Sequence, residues 1–170
     1  MGPTTINGLP AHVLFVHAVV VLVPVTALLV AAAVLWPSAR RRIGVLLPVV
    51  AFLTLVFVPL TTHSGEWLEH RTPRDPLLRA HTHLGDDLLV WSAATFVFAA
   101  VWWAMHSERA RDLLRRRVPR IDAVSGRRAI AAMVAVAALA VSVGSIVQVY
   151  RIGDSGAKAA WHDRTVSQAR

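Results

Sequence analysis

The stretch AHVLFVHAVVVLVPVTALLVAAAVLW, residues 11–36, decides the fold. It carries no Lys, Arg, Asp or Glu, and its apolar residues run continuously around the helix instead of marking one face. That is the pattern of a helix crossing roughly 30 Å of hydrocarbon. Three further uncharged runs follow at residues 43–62, 88–105 and 129–150, in a chain of 170 residues that is 55% hydrophobic. Together they predict an all-α integral membrane protein: a single four-helix bundle domain over residues 1–170, with helices at about 11–36, 43–62, 76–106 and 129–150. No Lys or Arg precedes the first run, and its length exceeds the apolar core of a cleavable signal, so it reads as a retained helix.

The formal net charge of +8 points toward lipid, not nucleic acid, because of where the basic residues fall. Arg40, Arg41 and Arg42 occupy the connection at 37–42, and eight more arginines lie between residues 106 and 128. By the positive-inside rule these two loops are cytoplasmic, which puts both termini and the loop at 63–87 outside the cytoplasm. The count is eleven basic residues inside against seven outside, with three acidic residues inside against seven outside. The arginine-rich loop then sets topology and attracts anionic lipid, and a surface helix within it is expected.

Local signals sharpen the helix ends. Pro10 suits a first turn, Pro37 stops the first helix after Trp36, and Asp75 followed by Pro76 reads as an N-cap and first helical residue. Pro48 and Pro59 predict an irregular second helix. On the third helix Leu77, His81, Leu84, Leu88, Trp91 and Thr95 recur at helical spacing, so His81 faces the bundle and His83 a wetter side. Ser142, Ser145 and Gln148 form a polar stripe on the fourth helix, where Ala140 and Gly144 permit close packing.

There is no cysteine, which excludes disulfides, thiolate-held clusters and covalent haem attachment. A metal would be held by His, carboxylate or Tyr. Seven of the eight histidines fall on or near the outer side: His12, His17, His63, His70, His81, His83 and His162, with only His106 inside. Glu66, Glu69, Asp75, Asp86, Asp87, Asp154 and Asp163 join them. His63 and Glu66, like His83 and Asp86, stand three apart, a spacing that meets on one helix face, although Gly65 argues against helix across HSGE. His12 and His17 are five apart, roughly 140° around a helix, and so take separate roles. His12 is placed at the interface. His17 and His81 are placed on buried faces at similar depth, where an ionisable residue is a functional candidate. The plainer reading of both is an imidazole bonded to Glu66, Gln148 or a backbone carbonyl.

Three stretches resemble, in order, the motifs of the domain of unknown function 2231 family: LPAHVLFVHAVVVLVP (9–24), SGEWLEHRTPRDPLLRAHTHLGD (64–86) and VYRIGDSGAKAAW (149–161). The resemblance leaves only the basic loop unmatched and implies a four-helix membrane fold. The family's pattern falls on His12, His17, Gly65, Glu66, His81 and Gly85. At Asp154 many relatives have His, and a carboxylate would be an unusual haem ligand. Fusion of some relatives to Rieske-type domains implies redox company, though the family brings no settled activity.

The readings that follow are three. The first is a redox or metal-binding membrane protein, its site in the outer half of the bundle. His17 and His81 would hold haem b axially, or His12, His17, Glu66, His81 and Asp154 would give a transition metal a mixed nitrogen and oxygen sphere. Its partners would be the bilayer and a redox protein. The second is a non-catalytic accessory or scaffold subunit with structural histidines. The third, ion passage, has little behind it, since residues 18–36 contain no ionisable group. No catalytic set stands out: Ser64 lacks the setting of a nucleophile elbow, and no phosphate-binding glycine loop is present.

Overall fold

The computed structural model describes residues 4–73, 75–117 and 127–168, with side chains described over 4–73, 75–112 and 128–161. A two-residue hairpin, β1 (Thr5–Ile6) and β2 (Leu9–Pro10), leads into α1 (Ala11–Leu35), α2 (Pro37–Ile43), α3 (Leu46–Glu69), α4 (Pro76–His106), α5 (Glu108–Arg117) and α6 (Arg127–Gln168). Four of these, α1, α3, α4 and the 128–161 part of α6, are long and apolar enough to cross a membrane. They pack as a ring in which α1 touches α3 and α6, and α4 touches α3 and α6. The start of α1, the end of α3, the start of α4 and the 149–160 part of α6 therefore share one end of the bundle.

The inside of the ring is small and weakly polar. Ala27, Ala33, Ala51, Ala99 and Ala138 are buried together with Thr26, Thr54, Thr61, Ser92, Thr95, Ser142 and Ser145. Large apolar side chains point outward instead: Val21, Leu28, Val90, Val136 and Val143 are all more than half exposed. This inversion of the soluble pattern follows from a lipid solvent, where small residues let backbones approach and large ones meet acyl chains. The hydroxyls are satisfied inside the bundle. Thr26 Oγ1 and Thr54 Oγ1 bridge α1 and α3 at 2.7 Å, and Thr95 Oγ1 and Ser145 Oγ bridge α4 and α6 at 3.0 Å. Gln148 Nε2 donates to the Leu84 carbonyl at 2.7 Å, a second tie between α4 and α6.

Several expected ends are met and others move. Asp75 caps α4 as expected, its carboxylate accepting from the Leu77 N–H at 2.9 Å. The second membrane helix runs seven residues past 62, through His63, Gly65 and Glu66, to Glu69. Gly65 lies within it, and its missing side chain leaves room for the His12 ring of α1. Pro48 sits in the first turn of α3, where its missing N–H has no helical partner to lose; only Pro59 is interior. The fourth membrane helix continues well past Tyr150. The connection at 37–42 is itself helical, as α2, closed by Gly44 at φ 52°. The surface helix expected in the basic loop is α5, while residues 118–126 of that loop lie outside the described residues.

The hairpin is a departure from an all-α reading. Asn7 and Gly8 both have positive φ, at 50° and 78°, which is the chemistry of a two-residue hairpin turn. The Ala11 N–H donates to the Thr4 carbonyl at 3.0 Å, closing the hairpin over the first turn of α1.

Candidate functional site

The shared end of the bundle encloses a cavity of about 540 Å³. Such a volume falls in the ~300–1,000 Å³ range of pockets that hold cofactors and drug-sized ligands. Its floor is the apolar cluster of Val19, Val58, Leu88 and Val149, and its mouth carries Glu66, Glu69, Asp75 and Asp86. No Lys or Arg lines it among the described residues.

Two histidines from different helices line this cavity, and both are fixed in the same way. His12 Nδ1 stands 2.9 Å from the Thr61 carbonyl of α3. His81 Nδ1 stands 3.1 Å from both the Ile152 carbonyl and Ser155 Oγ of α6. A carbonyl only accepts, so in each neutral ring Nδ1 carries the proton and donates. Nε2 is then left with its lone pair, and among the described residues no hydrogen bond uses it in either ring. Metal-ligating histidines are prepared in this manner, the remote nitrogen setting tautomer and ring orientation.

Glycines make room for both rings. A Cβ on Gly65 would stand 2.9 Å from His12 Nδ1, and one on Gly156 would stand 3.0 Å from His81 Cε1. Each imidazole thus lies close against the same helix whose carbonyl it bonds, His12 on α3 and His81 on α6. Gly156, a glycine inside a helix, was a legible sign of a close approach on α6.

The placement of His17 is reversed from expectation. It is exposed on the outer face of α1, its Nδ1 turned back to the Val13 carbonyl of its own helix. His12, expected at the interface, faces the bundle. The physical reason is the depth of α3: because that helix continues to Glu69, the first turn of α1 has a neighbour to pack against and His12 becomes an interior residue.

The other candidates divide by side. His81 faces inward and His83 is exposed, as the spacing predicted. His81 bonds a carbonyl and a serine, not Glu66 or Gln148. Glu66 is exposed at the cavity mouth, 3.8 Å from His63 Nδ1. Asp154 turns away from the cavity and pairs with Lys158 at 2.7 Å on α6. The mixed nitrogen and oxygen sphere therefore does not assemble: among the described residues no three His, Asp or Glu side chains converge on a point that would hold a metal ion. The side chains of His162 and Asp163 lie outside the described residues. His106 sits at the other end, bonded to the Trp102 carbonyl at 2.9 Å beside the ring of Trp102.

The family whose model matches the chain, over residues 8–169, is described as "Predicted membrane protein (DUF2231)". No curated protein and no solved structure matches it.

Proposed function

The chain belongs to the DUF2231 family of predicted membrane proteins, and from that premise we propose that it is an electron carrier holding haem b in the cavity through Nε2 of His12 and His81. The observation that carries this reading is the matched pair of imidazoles on α1 and α4. Each has Nδ1 committed to a backbone carbonyl of a neighbouring helix and Nε2 uncommitted, and both line one cavity. His12 thereby takes the first-helix role that sequence spacing alone gave to His17.

The donor set favours iron in a macrocycle over a bare ion. A transition-metal ion bound by protein alone needs three or four side chains, which the described residues do not bring together. In haem the porphyrin supplies four nitrogens and asks for two axial ligands, which two neutral imidazoles satisfy. The apolar floor suits the ring. With no Lys or Arg lining the cavity among the described residues, the propionates would be solvated outside it. Bound haem would supply a one-electron couple. The chain's own residues orient the two rings, exclude water below Leu88 and Val149, and surround the mouth with negative charge.

The arginine distribution supports an orientation with this end of the bundle outside the cytoplasm, and electrons would then be exchanged there with a redox protein. The test is a visible spectrum of the protein purified from haem-replete cells. A Soret band with low-spin bis-imidazole features is expected, abolished by His12→Ala or His81→Ala and retained in His17→Ala. Protein that carries no haem and takes up none when haemin is added would overturn the proposal. A scaffold role, in which the histidines only brace helices, predicts lower stability in the first two variants and no absorbing group.

A further inference from the structure

Glycine inside a helix is destabilising relative to alanine, so each helical glycine invites the question of what its missing side chain accommodates. Three have an answer within the chain. Gly65 and Gly156 receive the rings of His12 and His81, and Gly144 receives Trp91. Gly85 and Gly153 have none: a Cβ at either would meet no atom within 4 Å, although both are helical and both line the cavity.

Their positions relate directly to the histidines. His81 and Gly85 are four apart on α4, and Gly156 and Gly153 are three apart on α6, so each pair shares a face on successive turns. His81 meets Gly156. Gly85 and Gly153 thus lie about one turn deeper, toward the floor at Leu88 and Val149. They belong to adjacent, packed helices. The cavity thus carries imidazoles in its upper tier and, one turn deeper on α4 and α6, a glycine from each helix among the apolar side chains.

We infer that Gly85 and Gly153 form a slot for the edge of a flat macrocyclic ring, a porphyrin, and that this slot recognises the ring by shape, independently of iron. The inference rests on the reading of the cavity as a haem site and adds a recognition element to it. Flat aromatic surface gains most from close contact with a wall that lacks side chains, since dispersion falls steeply with a gap of a fraction of an ångström. Two methyl groups projecting from Gly85 and Gly153 would hold the ring off both walls.

Iron-free protoporphyrin IX, titrated into the detergent-solubilised full chain and followed by its fluorescence, separates ring recognition from axial ligation. The wild type should bind it although no iron is present for the histidines to hold, while Gly85→Leu or Gly153→Leu should weaken binding about tenfold or more. Gly85→Ala and Gly153→Ala control for folding: with open space at both sites, they should unfold at or above the wild-type temperature while binding protoporphyrin more weakly than the wild type. Leu and Ala variants that bind like the wild type, or a wild type that does not bind protoporphyrin, would overturn the slot. The haem reading fails separately, if the histidine variants keep the wild-type haem spectrum.

Discussion

The imidazole of His12 rests on Gly65, across the interface between α1 and α3, so closely that a Cβ at residue 65 would lie 2.9 Å from Nδ1. The contact and the hydrogen bond to Thr61 O, one turn earlier on the same helix, fix the ring together. Gly65→Ala should therefore act on the ring more than on the fold. The histidine can swing aside, and alanine returns about 0.5–1 kcal/mol of helix propensity. The expected outcome is an unfolding temperature near that of wild type, with haem uptake strongly reduced; thermal unfolding and a haemin titration on the same preparation check it.

Gly144 should behave in the opposite way. A Cβ there would fall 2.0 Å from Trp91 Cζ3, with two more indole atoms inside 3 Å. An indole packed against the floor cluster cannot turn aside as a terminal imidazole can. Gly144→Ala should cost about 1–3 kcal/mol through forced repacking of α4 on α6. Thermal unfolding measures it, and Trp91→Leu in the same chain should recover part of the loss, giving a coupling energy from the double-mutant cycle.

Much of this architecture was legible in the sequence because a membrane writes length and polarity directly into the chain. The four apolar runs, the Asp75–Pro76 start of α4, the inward stripe through His81 and the buried Ser142, Ser145 and Gln148 all follow from periodicity and hydropathy. What was not legible depends on partners that only the fold supplies. His12 and His17 are equivalent as letters near the start of an apolar run; the extra turns of α3 beyond Thr62 are what half-bury one and leave the other exposed. Gly65 read as a helix breaker because its use, receiving His12, lies 53 residues away in the chain. The Asn7–Gly8 hairpin was a readable turn that the weight of the apolar runs obscured.

The hydroxyl bridges should each contribute modestly. Thr26 and Thr54 bond at 2.7 Å between α1 and α3, and Thr54 Oγ1 also lies 2.9 Å from the Val50 carbonyl. Thr54 thus keeps a carbonyl bond within its own helix, and Thr26, once its partner is removed, can rotate to one of its own. The coupling energy from Thr26→Val, Thr54→Val and the double variant should be about 0.6 kcal/mol, the average for interhelical hydrogen bonds in lipid. A coupling above about 2 kcal/mol would show that the fallback bonds do not form.

Charge at the cavity mouth should tune a bound haem. Glu66 lines the mouth and is exposed, so its carboxylate favours the ferric form, though water and salt screen the effect. Glu66→Gln should raise the midpoint potential by some tens of millivolts, on the scale where roughly 59 mV is a tenfold change for one electron. Redox titration of the purified protein at low and high salt checks both the sign and the screening, since the shift should shrink as salt rises.

Topology can be tested with unusual economy, because the chain contains no cysteine. Any introduced thiol is then the sole site of reaction. Pro73 is exposed in the connection between α3 and α4, at the end of the bundle that holds the cavity; Ser38 is exposed in α2, at the opposite end beside Arg40, Arg41 and Arg42. If the arginines set orientation, Pro73→Cys in intact cells should react with a membrane-impermeant maleimide and Ser38→Cys should react only after the membrane is opened. Neither position lies in a helix–helix contact that the bundle needs, so both variants should fold. The reverse labelling pattern would place the cavity on the cytoplasmic side, and any electron exchange at its mouth would then have to involve a cytoplasmic partner.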